Sequence, residues 1–356
     1  MALDPQKMEV PRRPLVAIIL NWNGRKLLER FLPEVVANTD PGLTRIVVAD
    51  NGSTDDSVEY LRGNFGDKVG IIRFKRNLGF AMGYNRAITE VGKYPYVALL
   101  NSDLATDKGW DATLLRFMDA NPDVGAVQPK ILSYSNPSKF EYAGACGGYL
   151  DRNAYPYCRG RIFGTCEDDR GQYDTPADIF WASGAALLVR RNLYMALGGL
   201  DPDFFAHMEE IDLCWRIHLA GFRVAVVPAA SVRHLGGGSL PMGNPRKTYL
   251  NFRNNLLMMH KNLPDGTRGK ALFRRRLLDT IAWAKSLATL NFADAAAIFR
   301  AHRDFARMRR NYAAHPDRDI LPQSPESRRN ILCEYFLHGH HTFDRLSGGT
   351  SPANFR

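Results

Sequence analysis

No run of about 20 apolar residues, the length a bilayer core requires, occurs in the 356-residue chain. The nearest candidate, residues 281–299, is broken by Lys285 and Asp294, so no membrane-spanning helix is expected. Cysteine is scarce: Cys146, Cys158, Cys166, Cys214 and Cys333 form an odd set without a CxxC pair. Such a set argues against a disulfide framework or a zinc site and for free thiols in a reducing compartment. The opening MALDPQKMEVPRRP has no apolar signal core, and a cytoplasmic location is the expectation. The first apolar run is not followed by GxGxxG, which argues against a dinucleotide oxidoreductase.

What is present is the composition of a globular protein, 45% hydrophobic and 24% charged, long enough for one large domain and an accessory segment. The net charge of +10 is unevenly placed, with 12 Lys/Arg against 5 Asp/Glu between Arg268 and Asp319. A basic segment suits nucleic acid or an anionic membrane surface. No recognised nucleic-acid module accompanies the charge, and nucleic acid is set aside.

Between residues 15 and 228, short β-branched runs alternate with helical stretches, the texture of an α/β layered fold. Strands are predicted at residues 16–20, 46–50, 70–74 and 96–100, and helices at 26–37, 56–64 and 80–91. The strand runs are continuously apolar, which predicts burial on both faces of a largely parallel sheet. Ligands bind beyond the carboxyl ends of such strands. Two runs end there in polar sequence, Asp50-Asn51-Gly52-Ser53 and Asn101-Ser102-Asp103. After Pro264 the chain becomes basic and helix-rich, with Phe273, Leu277, Ile281 and Ala284 at helical spacing beside Arg274-Arg275-Arg276. Residues 321–356, rich in Pro, Ser, His and Gly, read as an irregular tail.

Four elements carry candidate chemistry, and each also has a plain structural reading. VVADNGSTDDS, residues 47–57, sets Asp50 at a strand end, where a simple turn with a Ser53 or Thr54 cap would look the same. LLNSDL, residues 99–104, puts the Asp103 carboxylate at a strand tip, a placement that suits a hard divalent cation. FFAHMEEIDLCWR, residues 204–216, reads as a helix opening with Glu209, Glu210 and Asp212. The helix dipole favours acids there, yet Phe204, Phe205, Met208 and Trp215 make an apolar setting in which a carboxylate needs a partner or a task. VRHLGGGS, residues 232–239, places His234 after a strand predicted at 223–227 and before Gly236, Gly237 and Gly238, which read as a hinge.

Taken in order, LNWNG, ADNGSTDDS, RNLGFAMGYNRAI, LLNSD, ASGAALLVRR, MEEIDLCWR and RHLGGGS make residues 14–265 resemble the family 2 glycosyltransferases. Within them the chain is most similar to the bacterial rhamnosyltransferase-like branch that builds surface polysaccharides. The resemblance implies the GT-A fold, an α/β architecture with a mixed, largely parallel sheet flanked by helices. A nucleotide-binding half (14–130) would join an acceptor half (131–265), after an N-terminal tail (1–13). A basic amphipathic helical segment (266–320) and a tail (321–356) would follow. The implied reaction moves a sugar, rhamnose by branch, from a dTDP- or UDP-sugar to a hydroxyl of a glycan or lipid-linked acceptor. By position, Asn21, Asn23, Asp50, Arg76, Asn77, Gly79, Asn85, Asn101 and Asp103 match donor-binding residues. Asp103 matches the last aspartate of the family's Asp-x-Asp metal motif, whose first position is Asn101 here. His234 matches a histidine that completes the site for Mn²⁺ or Mg²⁺. Glu209-Glu210 stands where the family has a Glu-Asp pair whose second member is the base, which leaves Glu210 or Asp212 for that role.

The chemistry is consistent with these roles. A nucleoside diphosphate gains negative charge as it leaves, and a cation bridging its phosphates stabilises that charge. The acceptor hydroxyl needs a positioned carboxylate to take its proton. One base opposite one leaving group implies a single displacement with inversion. Trp181 and Trp215 are candidates for a sugar face or for the core. Two other readings stay open: a sugar-nucleotide nucleotidyltransferase, for which LNWNGRK is a poor triphosphate loop, and an inactive sugar-nucleotide-binding scaffold. The basic segment either rests on an anionic bilayer at the inner face of the membrane or packs on the domain.

Overall fold

The computed structural model describes residues 13–236 and 243–347. Its first half alternates strand and helix: β1 (Leu15–Asn21), α1 (Arg25–Asn38), β2 (Thr44–Asp50), α2 (Ser57–Phe65), β3 (Val69–Arg73), α3 (Phe80–Glu90), β4 (Tyr96–Asn101), β5 (Leu104–Thr106), α4 (Trp110–Ala120) and β6 (Val124–Ser133). A small antiparallel sheet follows, made of β7 (Gly148–Leu150), β8 (Pro156–Cys158), β9 (Arg161–Ile162) and β10 (Thr165–Cys166). Then come β11 (Ala177–Ile179), β12 (Ala186–Arg190), α5 (Arg191–Ala196), α6 (Glu209–Leu219) and β13 (Arg223–His234). The chain continues as helices: α7 (Pro245–Asn262), α8 (Asp265–Ala288), α9 (Phe292–Met308), α10 (Pro325–Arg328), α11 (Ile331–Phe336) and α12 (Phe343–Ser347).

Among the described residues the main sheet runs β11-β13-β6-β12-β4-β1-β2-β3, with β5 paired to β13. Strands β3, β2, β1 and β4 are mutually parallel, whereas β12 is antiparallel to both β4 and β6. The predicted strands and helices of this half lie within a residue or two of the observed ones. Burial explains why their runs are continuously apolar. Val16 and Ile18 join the core under α3, while Leu15, Ala17 and Ile19 join a second core with α1 and α4. Alternate side chains of one strand thus fill opposite faces, and burying each Val, Leu or Ile contributes roughly 1.5–3 kcal/mol. The five cysteines are free thiols, three of them buried. Trp181 and Trp215 are both buried in the core rather than available to a ligand.

Two expectations need correction, and the Arg274-Arg275-Arg276 run takes a form the sequence left open. The strand predicted at 223–227 continues to His234, past a register shift between Val227 and Ser231, because its second part pairs with β6 and β5. Residues 321–347 are not an irregular tail. Phe343 stacks on Tyr149 with ring centroids 5.4 Å apart and meets Tyr157 and Tyr173, and Ile331 and Leu346 are buried. Three dispersed apolar anchors suffice to dock short helices that no periodicity announces. The Arg triplet is not a uniformly exposed patch. Arg275 is buried, bonded to Asp279 and lying over Tyr155, and Arg274 is held by Asn153 and the carbonyl of Arg152. No helix among the described residues is long and apolar enough to cross a membrane.

Candidate active site

The carboxyl ends of β1, β2 and β4 converge on one edge of the sheet. Asp50, the last residue of β2, is fully buried and accepts from the Ser53 amide at 3.1 Å and from Asn21 Nδ2 at 3.3 Å. Asn21 Oδ1 is buried without a partner. Asn23, held at φ 50°, accepts from the Thr54 amide at 2.7 Å, and its own amide donates to Ser53 Oγ. The turn after β2 is fixed by Gly52 at φ 77°, where a Cβ would lie 2.5 Å from the Arg76 backbone. Only glycine permits that approach, and it brings the segment after β3 alongside. There Asn77 accepts from Asn51 Nδ2 and from the Gly79 amide, and Gly79, at φ 79°, opens α3. A cleft of about 370 Å³ results, lined by Gly52, Ser53, Thr54, Arg73, Phe74 and Lys75.

At the tip of β4 the pairing of β5 with β13 does what no sequence spacing could announce. His234 lies opposite Leu104 in that register, which sets its Nε2 3.1 Å from Asp103 Oδ1 and 3.2 Å from Asn101 Nδ2. On its other side, Nδ1 is 3.4 Å from Glu141 Oε2, out of hydrogen-bond geometry. All three of His234, Asp103 and Glu141 are buried. Burial alone opposes a charged imidazole, but Asp103 and Glu141 outweigh it and raise the His234 pKa to about 10. Burial likewise works against the Asp103 carboxylate, and His234 outweighs it, holding that pKa below the usual value. His234 therefore needs no movement to reach Asp103, contrary to the hinge expectation. Gly237 and Gly238 lie outside the described residues.

The first turn of α6 separates its three acids. Asp212 is fully buried between Arg216 (2.7 Å), Lys261 (2.9 Å) and Asn262 (2.8 Å), and despite burial these cations hold its pKa low. Both of its oxygens are engaged with these partners. Glu209 and Glu210 each have one shielded oxygen without a hydrogen-bond partner. Burial raises both pKa values, Glu210 to about 6, and repulsion between the two pushes Glu209 well higher. Of the two, Glu209 is the more strongly held toward its protonated form, by its burial and by the neighbouring Glu210. Gly184 lies against Glu210, a Cβ there falling 3.6 Å from the Glu210 Cβ. The next residue, Ala185, accepts from the Asn101 amide at 2.9 Å. Glu210 thus stands across a short strand connection from the Asn101–Asp103 tip.

The loop before α6 is strained, with Phe205, His207 and Met208 at φ of 64°, 68° and 74°. Such non-glycine angles persist only when the surroundings impose them. Here α7 does so: Asn254 Nδ2 lies 2.7–2.9 Å from the carbonyls of Phe204, Ala206 and His207, and Arg253 bonds those of Asp203 and Phe204.

The structure also moves one expected residue and adds others. Asn85 does not face the cleft, because its amide is occupied by Tyr194 and by both backbone groups of Leu200. Arg73 and Lys75 were not anticipated, although the run RFKR around Arg76 carries the signal. Glu141 had no signal, since nothing in FEYAGAC marks it. Trp22, between Asn21 and Asn23, is 56% exposed at the strand tips. One further group with metal-ligand spacing, Glu334, His338 and His340, lies on the C-terminal segment, where Glu334 already bonds both imidazoles at 3.3 and 2.8 Å.

Residues 16–172 match the family model described as Glycosyl transferase family 2. The chain is 27% identical over 234 residues to the N-acetylglucosaminyl-diphospho-decaprenol L-rhamnosyltransferase of Mycobacterium tuberculosis, covering 62% of this chain and 75% of that protein. It is 41% identical over 61 residues to rhamnosyltransferase WbbL of Escherichia coli, 17% of this chain and 22% of that one. Among solved structures it is similar to GalNAc-T7 with UDP, GalNAc and Mn²⁺ (TM-score 0.55, 15% identity, 72% of this chain and 49% of that one). It is also similar to S. aureus TarS 1-349 in complex with UDP-GlcNAc (TM-score 0.50, 13% identity, 83% and 91%). At these identities the structural likeness is one of fold, and the fold is GT-A.

Proposed function

We propose that this chain, whose residues 16–172 match the glycosyl transferase family 2 model, is a glycosyltransferase of that family that transfers a sugar, with inversion, from a nucleoside diphosphate-sugar to a hydroxyl of a glycan or lipid-linked acceptor in surface polysaccharide biosynthesis. The observation that carries this reading is the pairing of two different carboxylate environments at one sheet edge. Asp103 sits beside His234 at the tip of β4, and Glu210, its pKa raised to about 6, stands across Gly184 and Ala185. Rhamnose is the proposed sugar and dTDP- or UDP- the proposed carrier, on the strength of the two rhamnosyltransferase relatives and the UDP-bound neighbours.

The donor set at His234 fits a divalent cation. One carboxylate oxygen and one imidazole nitrogen lie 3.1 Å apart, buried, with the second carboxylate of Glu141 behind them. Oxygen with a single nitrogen suits Mn²⁺ or Mg²⁺. Asp103 and His234 would hold the ion, the imidazole giving up on binding the proton that Asp103 and Glu141 otherwise favour, and the ion would supply charge stabilisation to the departing diphosphate. Asp50, Asn21 and Asn23 shape the nucleoside end of the cleft, and Arg73 and Lys75 line its cationic side. Arg76, Asn77 and Gly79 continue that wall toward α3. Glu210 accepts the proton of the acceptor hydroxyl, beside the more strongly raised Glu209 and within an apolar surround.

The test is a donor screen by nucleoside diphosphate release, with Mn²⁺ or Mg²⁺ and with excess EDTA. Release that requires metal and is lost in Asp103→Ala, with far-UV circular dichroism unchanged, is the expected result. Undiminished release in EDTA removes the metal assignment, and release of pyrophosphate from a nucleoside triphosphate would instead identify a nucleotidyltransferase.

A further inference from the structure

The helices after Pro264 invert the usual relation between apolarity and burial. In α8, Phe273, Leu277 and Ile281 are 66%, 53% and 66% exposed, and Ala284 on the same stripe is exposed too. In α9, Phe292 and Phe299 are 62% and 63% exposed, and Leu290 in the connecting turn is 74% exposed. Both helices pack on α7 and on each other. Most of their buried residues, among them Leu272, Arg275 and Asp279 in α8 and Ala297, Ile298, Ala301, Asp304 and Phe305 in α9, lie away from these exposed ones at 100° per residue. Each helix of the hairpin therefore presents an outward stripe of large apolar side chains, with Leu290 in the turn between them, which a water-soluble surface seldom carries without an occupant.

Charge says which occupant. Lys270, Arg276, Lys285, Arg300, Arg303 and Arg307 are exposed on or beside this band. The acids of the two helices are mostly turned inward or paired: Asp279 is buried with Arg275 and His302, and Asp304 is buried with Tyr249. Apolar side chains on one face, flanked by cations, are what an interfacial helix needs to insert among acyl chains and meet lipid phosphates. A second copy of the chain docking the same face would bring cation against cation, which works against a two-fold contact. Double-stranded nucleic acid would meet the cations but has no use for exposed Leu and Ile.

We propose that the outer face of the α8–α9 hairpin docks this protein on an anionic bilayer. Attachment resides in the apolar band Phe273, Leu277, Ile281, Leu290, Phe292 and Phe299, with the cations adding affinity, and not in the Arg274-Arg275-Arg276 run as such. The placement also has a consequence for the site. Helix α7, 18 residues and roughly 27 Å long, lies directly beneath the hairpin. The same helix holds the loop that carries Glu209 and Glu210, through Arg253 and Asn254. Through α7 the hairpin is thus connected to the loop that leads into Glu209 and Glu210.

The experiment is co-sedimentation of the full chain with vesicles of phosphatidylglycerol and phosphatidylcholine, and with pure phosphatidylcholine, at low and high salt. The wild type is expected to sediment with the anionic vesicles at low salt and to be released partly as salt rises. The variant Phe273→Ser, Leu277→Ser, Ile281→Ser should bind at least ~10-fold more weakly, by loss of apolar insertion. Circular dichroism and nucleoside diphosphate release read the fold and the chemistry independently, so an inactive protein that still binds vesicles leaves this surface intact. A wild type that stays in the supernatant at low salt, or a triple variant that binds as tightly as wild type, overturns the proposal. So does a wild type that is dimeric by light scattering and becomes monomeric in the triple variant without any vesicle binding, since the band would then be a protein interface.

Discussion

The sheet edge and the α8–α9 hairpin treat polarity in opposite ways. At the edge, Asp50, Asp103, Glu209, Asp212 and His234 are buried among strands and helices. On the hairpin, Phe273, Leu277, Ile281, Phe292 and Phe299 face outward. Both patterns run against the ordinary preference for charge outside and hydrocarbon inside, and each costs free energy unless something compensates. At the edge the compensation is internal: partner charges for Asp212, a histidine for Asp103, and a raised pKa for Glu209 and Glu210. On the hairpin nothing within the described chain supplies it. The first inversion is satisfied within the chain, and the second is not.

Substitutions can break this contrast, and the largest effect should fall on Glu210. Glu210→Gln keeps size and hydrogen bonding but cannot accept a proton, and turnover should drop by ~10²–10⁴-fold with donor affinity nearly unchanged. The wild-type turnover should rise with pH through an acid limb near 6, because the carboxyl must be ionised to act. That limb belongs to the Glu209–Glu210 pair. A pH-independent rate between 5 and 8 would count against Glu210 as the base.

Asp212→Asn should instead damage the fold. Removing one partner from a buried ion-pair network costs about 3–5 kcal/mol, read as a lower midpoint in urea or heat. The sign in pH follows from the lowered pKa of Asp212. Its contribution to stability is present above the unfolded carboxyl value and is lost as pH falls through the folded one. If Asp212→Asn melts like wild type and loses turnover, the two acids have exchanged roles.

A smaller effect is expected at Asn254. Asn254→Ala frees three carbonyls of the strained 205–208 loop and lets Glu210 drift, so turnover should fall ~10–10²-fold with circular dichroism unchanged. Unaltered turnover would show that the helix dipole and packing alone hold the loop. Least of all, Phe273→Ser should leave the unfolding midpoint within about 0.5 kcal/mol of wild type, along with turnover on a water-soluble acceptor. A marked loss of stability there would mean that Phe273 is packed rather than exposed.

By itself the sequence determined the layered half of the molecule. Strands β1 to β4 and helices α1 to α3 could be read from apolar runs and spacing, because side chains two or three to four residues apart share a face whatever surrounds them. It also singled out Asp50, Asp103, Glu210 and His234 as candidates, which the structure sets at or beside the strand ends. Local pattern could not say which way a face points: the same periodicity that buries Leu28, Leu32 and Val35 of α1 sets Phe273, Leu277 and Ile281 of α8 in solvent. Only the tertiary structure decided that Asp212 is an ion-pair partner and Asn85 a brace for Leu200. It alone set Glu141 beside His234 and docked residues 321–347 through Phe343. Each of these depends on a contact between residues far apart in the chain, and such contacts are fixed by strand register and helix packing rather than by the spacing of neighbours.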